Sequence, residues 1–373
     1  MNHEEKYRKE AAALTLMPDL EGTRKVAWKS PSNIALIKYW GKKPVQIPAN
    51  ASISFSLRNS LTETEIEYKV SSEGMQIEFY FEGEPEKAFQ SRLVKYLRSL
   101  VPYMPFLDDL DMVIHSSNSF PHSSGIASSA SAMSALALCL CSMEQDLFSS
   151  LTDTGEFYTK ASFLARLGSG SAARSLYPGY SVWGRHPDLP EASDEVAVGL
   201  ESGIHEKFRE IGDTILITSP GRKKVSSSRG HLLMENHPYA GARIDQVNEN
   251  FSILLDALKT GNEEQWVRVI EHEALSLHGL MLSSDPGFAL LNDRTLAIID
   301  EVRNFRQSEG IPVCFTLDAG PNVHLLHPYR YRNEIMELME SRLAVYCDNG
   351  RYIDDRMGEG PVRISNTHKN LKP

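Results

Sequence analysis

Four short segments concentrate residue types that can do chemistry. FPHSSGIASSAS (120–131) packs serine, glycine and alanine ahead of an apolar helical pattern. A glycine-containing loop entering a helix leaves backbone N–H groups without helical partners. The helix dipole adds partial positive charge there, and small side chains let an anion come close. Serine hydroxyls can donate to phosphate oxygens or ligate a metal that the phosphates hold. The segment lacks the Gly-Lys-Ser/Thr of the common P-loop. A serine-rich turn capping a small-residue helix fits the same residues. NIALIKYWGKKP (33–44) gathers Lys38, Tyr39, Trp40, Lys42 and Lys43 in a polar-aromatic run. GSGSAARS (168–175) carries Arg174, whose fork suits carboxylate or phosphate. FTLDAGPN (315–322) ends an apolar strand pattern on Asp318 before a turn. Such an Asp either shapes the turn or presents a catalytic carboxylate on a rigid element.

Other motifs fail on spacing. GSGSAARS matches the dinucleotide fingerprint superficially, but the helical pattern ASFLARL precedes it where a strand is required. In HEALSLH (272–278) the two histidines are six residues apart, about 600° around a helix, so they cannot share a zinc face. They are expected to be solvated or core histidines, and neither zinc nor a nicotinamide cofactor is expected. DDRMGEG near the C-terminus lacks EF-hand spacing and is expected to be a surface turn. KKVSSSR (223–229) reads either as a phosphate-closing loop or as a solvated basic turn.

These segments need elements to hold them. RKVAWKS, ASISFSL, TETEIEYKV and MQIEFYF within 24–81 read as strands. Residues 85–101 have helical spacing of Phe89, Leu93, Leu97 and Leu100. LDMVIHS is a strand, followed by helices from Gly125 to about Met143 and over about 153–167. YSVWG, EVAVGL and DTILIT read as strands, 238–310 as mainly helical, and 311–327 as two strands folded about Ala-Gly-Pro-Asn. A last helix is expected over 331–345. Strands in groups alternating with groups of helices imply an α+β layering. A boundary is expected within 200–212.

The 373 residues suffice for a large core and two domains. A net charge of −10 gives no general attraction to nucleic acid or anionic membrane. No stretch approaches 18 uninterrupted apolar residues, so no transmembrane helix is expected, and the N-terminus carries charges where a secretory leader needs an apolar run. Cys139, Cys141, Cys314 and Cys347 form neither a zinc spacing nor a disulfide framework; buried reduced thiols in a cytoplasmic protein are expected.

Taken in order and at these spacings, NIALIKYWGK, FPHSSGIASSAS, GSGSAARSLYPGY and FTLDAGPN resemble the mevalonate diphosphate decarboxylase family of the GHMP kinase superfamily. The resemblance runs from about residue 26 to about 345. It implies a GHMP kinase fold, two α/β-sandwich domains around a deep central cleft, divided as 1–205 and 206–373. It also implies the ATP- and Mg²⁺-dependent decarboxylation of mevalonate 5-diphosphate to isopentenyl diphosphate, in a cytoplasmic homodimer. Mevalonate 3-kinase and phosphomevalonate decarboxylase activities on the same fold are the alternatives.

By matching position, Asp318 would contact the 3-hydroxyl as base or positioning group. Arg174 would hold the carboxylate, placed by Asn33, and Lys38 would stabilise charge during phosphoryl transfer. Ser128 would face the hydroxyl, the transferring phosphate and the metal. Tyr39, Lys42, Ser169, Ser171, Ser228 and Arg229 would bind the substrate. Asn118, Ser123, Ser124, Gly125, Ala127, Ser128 and Ser129 would line the ATP site. Arg174 is expected to sit in the cleft and outside the core, so that its replacement changes stability little. The chain departs from the family at His122, Ser123 and Ser124, where Thr-Ala-Ala is common, and at Ala173, where Cys is common. Those departures bear on the details of nucleotide contact. The first 20 residues have no counterpart role.

Overall fold

The computed structural model describes residues 2–15, 22–121, 126–219 and 227–365, the side chains of 227–229 excepted. The strands are β1 (Arg24–Ile37), β2 (Lys42–Lys43), β3 (Ile47–Pro48), β4 (Ser52–Val70), β5 (Gln76–Phe81), β6 (Glu84–Pro85), β7 (Leu110–Asn118), β8 (Tyr180–Trp183), β9 (Ala197–Gly199), β10 (Ile211–Leu216), β11 (Cys314–Thr316), β12 (Val323–Pro328), β13 (Tyr352–Arg356) and β14 (Val362–Arg363). The helices are α1 (His3–Glu10), α2 (Lys87–Leu100), α3 (Ser128–Phe148), α4 (Thr154–Gly168), α5 (Ser227–Leu232), α6 (Ala240–Thr260), α7 (Glu263–Ser283), α8 (Asp293–Glu309) and α9 (Arg332–Leu338).

The first sheet runs β14-β1-β4-β7-β5-β6, with β8 and β9 added beside β4. ASISFSL and TETEIEYKV, expected as two strands, are one 19-residue strand, β4. Its second half alternates: Thr62, Thr64, Ile66 and Tyr68 face the core while Glu63, Glu65 and Glu67 lie on the wetter side, the period-2 pattern of a half-buried strand. A register shift between Pro31 and Asn33 bends β1 where proline cannot donate to the ladder. The strand therefore continues to Ile37, directly before Lys38.

α3 begins at Ser128, three residues later than its expected start at Gly125, behind Ala127 in the left-handed region at φ 43°. Its middle, Ala135–Met143, is buried all round, as its apolar composition requires. α4 ends at Gly168 and a 3₁₀ segment follows over Gly170–Leu176, so GSGSAARS is not a strand–turn–helix unit.

The second sheet, β11-β12-β10-β13, is antiparallel throughout. The expected strand pair around Asp318 is β11 and β12, and the expected helical region is α6, α7 and α8. α6 ends at Gly261 at φ 78°, where an added Cβ would stand 2.7 Å from the His205 ring, so glycine is required on both grounds. The helix expected over 331–345 is α-helical only to Leu338, then widens into a π turn over Met339–Leu343 and tightens into a 3₁₀ turn over Ala344–Tyr346.

One apolar cluster joins the two sheets. It packs Ile34, Leu36, Ile53 and Phe55 from the first against Ile211, Ile215, Leu254 and Trp266 from the second half of the chain. DDRMGEG is not a surface turn: its first three residues lie in β13, and Asp355 is buried. The Asp355 carboxylate accepts the backbone N–H groups of Arg58 (3.1 Å), Asn59 (2.8 Å) and Ser60 (2.8 Å) and the Ser60 hydroxyl (2.7 Å), tying β13 to β4. With the Arg356 N–H (2.8 Å) as a fifth donor, this buried acidic residue is stable where an isolated one would not be. The four cysteines are free and buried.

Candidate active site

Lys38 leaves the end of β1 with its side chain only 2% exposed, and its Nζ lies 2.9 Å from Asp318 Oδ1. Its backbone is held on both sides. The N–H donates to Glu273 Oε2 (2.8 Å), and the carbonyl accepts from Asn50 Nδ2 (2.9 Å) and from the Arg243 guanidinium (3.3 Å). Asp318 opens the turn after β11. Its carbonyl accepts the Gly320 N–H at 2.7 Å and lies 3.1 Å from His278 Nε2, which must be the donor because a carbonyl only accepts. The far side of the turn is pinned by Asn322 Oδ1, which accepts the Thr218 N–H at 2.9 Å.

Arg174 lies in the 3₁₀ segment after α4 and is buried, 3% exposed. Its guanidinium donates to Asn33 Oδ1 through Nε (3.3 Å) and Nη2 (3.2 Å) and to Ser52 Oγ through Nη1 (2.5 Å). Asn33 in turn donates to the Ser171 carbonyl (3.1 Å) and to Ser175 Oγ (2.7 Å), which fixes its amide orientation. Among the described residues no carboxylate is within ion-pair distance of Arg174. Burial pushes its pKa down to about 10, partly offset by the charge of Asp318 and by Tyr39. A buried guanidinium bonded only to neutral oxygens retains an unmet electrostatic demand for an anion.

Tyr39 sits between Trp183 (ring centroids 4.7 Å apart, edge-on) and His231 (4.3 Å). Gly170 packs under it; an added Cβ would be 2.6 Å from the Trp183 ring and 3.1 Å from the Tyr39 hydroxyl. That hydroxyl is buried with no hydrogen-bond partner among the described residues, and burial raises its pKa. His231 Nδ1 accepts the Gly41 N–H at 3.0 Å, so the neutral ring carries its proton on Nε2. Burial, with Lys42 and Arg174 nearby, pushes its pKa down to about 3. The Ser129 and Ser169 hydroxyls lie 3.4 Å apart, joining the start of α3 to the end of α4. The first turn of α3 has no side-chain cap.

The family of the Diphosphomevalonate decarboxylase-like N-terminal domain matches residues 30–196, and that of the Mevalonate 5-diphosphate decarboxylase C-terminal domain matches 214–371. The diphosphomevalonate decarboxylase of Schizosaccharomyces pombe is 28% identical over 92% of this chain and 87% of its own length. That of Aspergillus fumigatus is 30% identical over 79% and 74%. The mevalonate diphosphate decarboxylase structure from Staphylococcus aureus superposes with a TM-score of 0.79 at 30% identity, over 92% of this chain and 99% of that one. A complex of MDDEF with MVAPP, AMPPCP and magnesium superposes at 0.78 and 26% identity, over 92% and 100%. The chain belongs to the diphosphomevalonate decarboxylase family. Its α+β fold is the GHMP type that the resemblance implied.

Within this family member, the residues singled out in the sequence fall into three groups. Asp318 contacts Lys38, and Asn33 contacts both Arg174 and the Ser171 carbonyl; Ser129 meets Ser169, and Tyr39 packs edge-on against Trp183. Lys42 donates to Gln46 Oε1 in the β2–β3 hairpin, Ser128 opens α3, and Ala127 is its N-cap. Asn118 ends β7, donating its N–H to Glu82 and accepting the Thr62 hydroxyl at 2.7 Å. Ser123, Ser124, Gly125 and the unusual His122 lie outside the described residues, as do the side chains of Ser228 and Arg229 in α5.

Arg174 is a correction: the expected cleft arginine is a core residue, because its two neutral partners, Asn33 of β1 and Ser52 of β4, enclose its guanidinium. Ser52, His231, Arg243, Glu273 and His278 were missed. For Glu273 and His278 the signal lay in HEALSLH itself, whose apolar flanks put both residues on buried parts of α7.

Proposed function

We propose that the chain catalyses the ATP-dependent decarboxylation of mevalonate 5-diphosphate to isopentenyl diphosphate, ADP, phosphate and CO₂. The observation that carries this reading is the pairing of two neighbouring sites, near enough that the Asp318 charge acts on Arg174. A buried Arg174 lacks a carboxylate partner, and an Asp318 carboxylate is held against a lysine ammonium. The substrate supplies the missing carboxylate and the hydroxyl that Asp318 would address. The family membership, and the neighbouring complex with MVAPP, AMPPCP (an ATP analogue) and magnesium, support the same substrates.

Arg174 binds the carboxylate, oriented by Asn33 and Ser52. Asp318 accepts the proton of the 3-hydroxyl as the oxygen attacks the γ-phosphorus of ATP, and ADP leaves. Lys38, across from Asp318, stabilises negative charge on the transferring phosphoryl group. The 3-phosphate then departs as the C–C bond to the carboxylate breaks; that electron pair forms the new double bond, and CO₂ is released. Arg174 holds the carboxylate in line for this departure. Tyr39, Lys42, Ser169 and Ser171, with Ser228 and Arg229, bind the diphosphate side. Asn118, Ala127, Ser128 and Ser129, with Ser123, Ser124 and Gly125, line the nucleotide.

Among the described residues no group of three His, Cys, Asp or Glu side chains could hold a metal ion. The half-exposed Ser128 hydroxyl at the start of α3 would be the protein ligand of Mg²⁺. The ion would neutralise phosphate charge. The division into units 1–205 and 206–373 is supported by family matches that end at 196 and resume at 214. No helix among the described residues is long and apolar enough to cross a membrane. The reading extends to a cytoplasmic homodimer, with the four free buried thiols fitting a reducing compartment.

The test is incubation with ATP and either mevalonate 5-phosphate or 5-diphosphate, scoring ADP and CO₂ separately. Equimolar ADP and CO₂ from the diphosphate are expected. ADP without CO₂ would make the protein a 3-kinase, and CO₂ only from the monophosphate would change the substrate.

A further inference from the structure

The steps above use Lys38 and Asp318 but not Glu273, Arg243 or His278, all three buried. Glu273 and Arg243 form a two-pronged ion pair, both N–O distances 2.7 Å, and Asn250 adds a third donor to Glu273 at 2.7 Å. Burying two charges is costly and gives little net stability compared with apolar packing. Here both partners also reach Lys38: Glu273 takes its N–H and Arg243 donates to its carbonyl. The peptide groups flanking Lys38 Cα are thus gripped by one rigid pair.

Five residues further along α7, about 7.5 Å of helix rise, His278 donates to the Asp318 carbonyl. One helix therefore holds the backbones of two residues that meet through their side chains. Burial and the Lys38 charge push the His278 pKa down to about 4, so the ring is neutral at neutral pH and carries its one proton on Nε2, toward the Asp318 carbonyl.

We infer that α7 is the positioning element of the reacting pair: Glu273, with Arg243, fixes Lys38, and His278 fixes Asp318, so that their separation is set by one helix. This inference rests on the roles given above to Lys38 and Asp318. The three are positioning residues: each acts through the residue it holds. A displacement near 1 Å at a reacting group can cost on the order of 10²-fold in rate.

The experiment compares His278→Gln with His278→Leu, and Arg243→Lys alone with Arg243→Lys in a Lys38→Met background. kcat, KM for both substrates and the thermal midpoint are measured for each. The glutamine amide reaches the Asp318 carbonyl as Nε2 does, so it should keep kcat within about threefold of wild type. Leucine has similar bulk and no donor; its kcat should fall about tenfold to a hundredfold with both KM values nearly unchanged. Arg243→Lys keeps the charge but cannot span Glu273 and the Lys38 carbonyl. It should lower kcat in the wild-type background and cost under about twofold more once Lys38 is gone. Equal kcat in the glutamine and leucine variants, or additive losses for Arg243→Lys and Lys38→Met, would overturn the inference. Should the leucine variant not fold, the Arg243–Lys38 cycle decides. Full turnover in Lys38→Met itself would sink the functional reading instead.

Discussion

The Lys38 ammonium lies 2.9 Å from the Asp318 carboxylate although 280 residues separate the two in sequence. The lysine is sealed at the end of a strand of the first sheet, and the aspartate remains 28% exposed at the end of a strand of the second. In the proposed reaction the exposed partner would meet the substrate hydroxyl, and the buried one supplies a fixed positive charge beside it. The pair exists only where the two sheets close on each other.

Asp318→Asn should therefore lower kcat by about 10³-fold, within the range of a lost general base. The fold should survive, because the side chain is partly exposed and asparagine has nearly the same shape. Calorimetric affinity for an ATP analogue should stay within about twofold. Near-normal turnover in a folded variant would reject the assigned role.

Arg174→Lys should cost about 2–4 kcal/mol of transition-state stabilisation, read as roughly a 30- to 900-fold loss. The burial of Arg174 adds a second effect. Lysine cannot reach Asn33 Oδ1 and Ser52 Oγ together, so the unfolding free energy should also fall, by about 1–3 kcal/mol. Steady-state kinetics beside urea unfolding would separate the two. Normal turnover with lowered stability would make the arginine structural alone.

Acid should destabilise the fold through its buried histidines. Burial pushes His327 down to about 4, partly offset by its bond to the Pro328 carbonyl, and His231 and His278 are lowered too. The unfolded chain, with ordinary histidines, takes up these protons first, between about pH 6.5 and 4. Stability is then full above pH 6.5 and lost as pH falls through that window, about 2 kcal/mol per such histidine between pH 7.5 and 5. His327→Asn keeps a donor for the Pro328 carbonyl, 3.1 Å from Nδ1. The difference in unfolding free energy between the two pH values should narrow by about 2 kcal/mol in this variant; an unchanged difference would contradict the linkage.

The N-terminal helix should matter for stability and not for chemistry. Tyr7 of α1 is fully buried, 5.1 Å from the Phe163 ring and under the Lys160 ammonium at 5.2 Å. The helix is tied down by the Lys6–Glu156 ion pair at 2.5 Å and lies outside the matched family regions, which begin at residue 30. Tyr7→Ala should destabilise by about 3 kcal/mol, the cost of an emptied aromatic site, with kcat at 25 °C unchanged. A large fall in kcat with an unshifted thermal midpoint would give the helix a catalytic role.

Local spacing by itself determined much of this protein. The alternation in TETEIEYKV marked a half-buried strand, the helix before Gly168 ruled out a nucleotide-binding βαβ unit, and the apolar run ending at Asp318 marked a strand–turn junction. Each depends on a period of 2 or 3.6 residues, which neighbours in sequence carry. Four ordered segments also sufficed to indicate the family. Only the tertiary structure decided who meets whom. Sheet register and helix docking bring Asp318 to Lys38, Asp355 to the amides of 58–60, and Glu273 to the Lys38 backbone. Arg174 looked like a cleft residue because charge in sequence suggests exposure; enclosure by Asn33 and Ser52, more than 100 residues away, made it core. HEALSLH lacks the spacing of a zinc motif, yet two of its residues bond the backbones of Lys38 and Asp318. That role depends on partners from β1 and the turn after β11, which no spacing within α7 encodes.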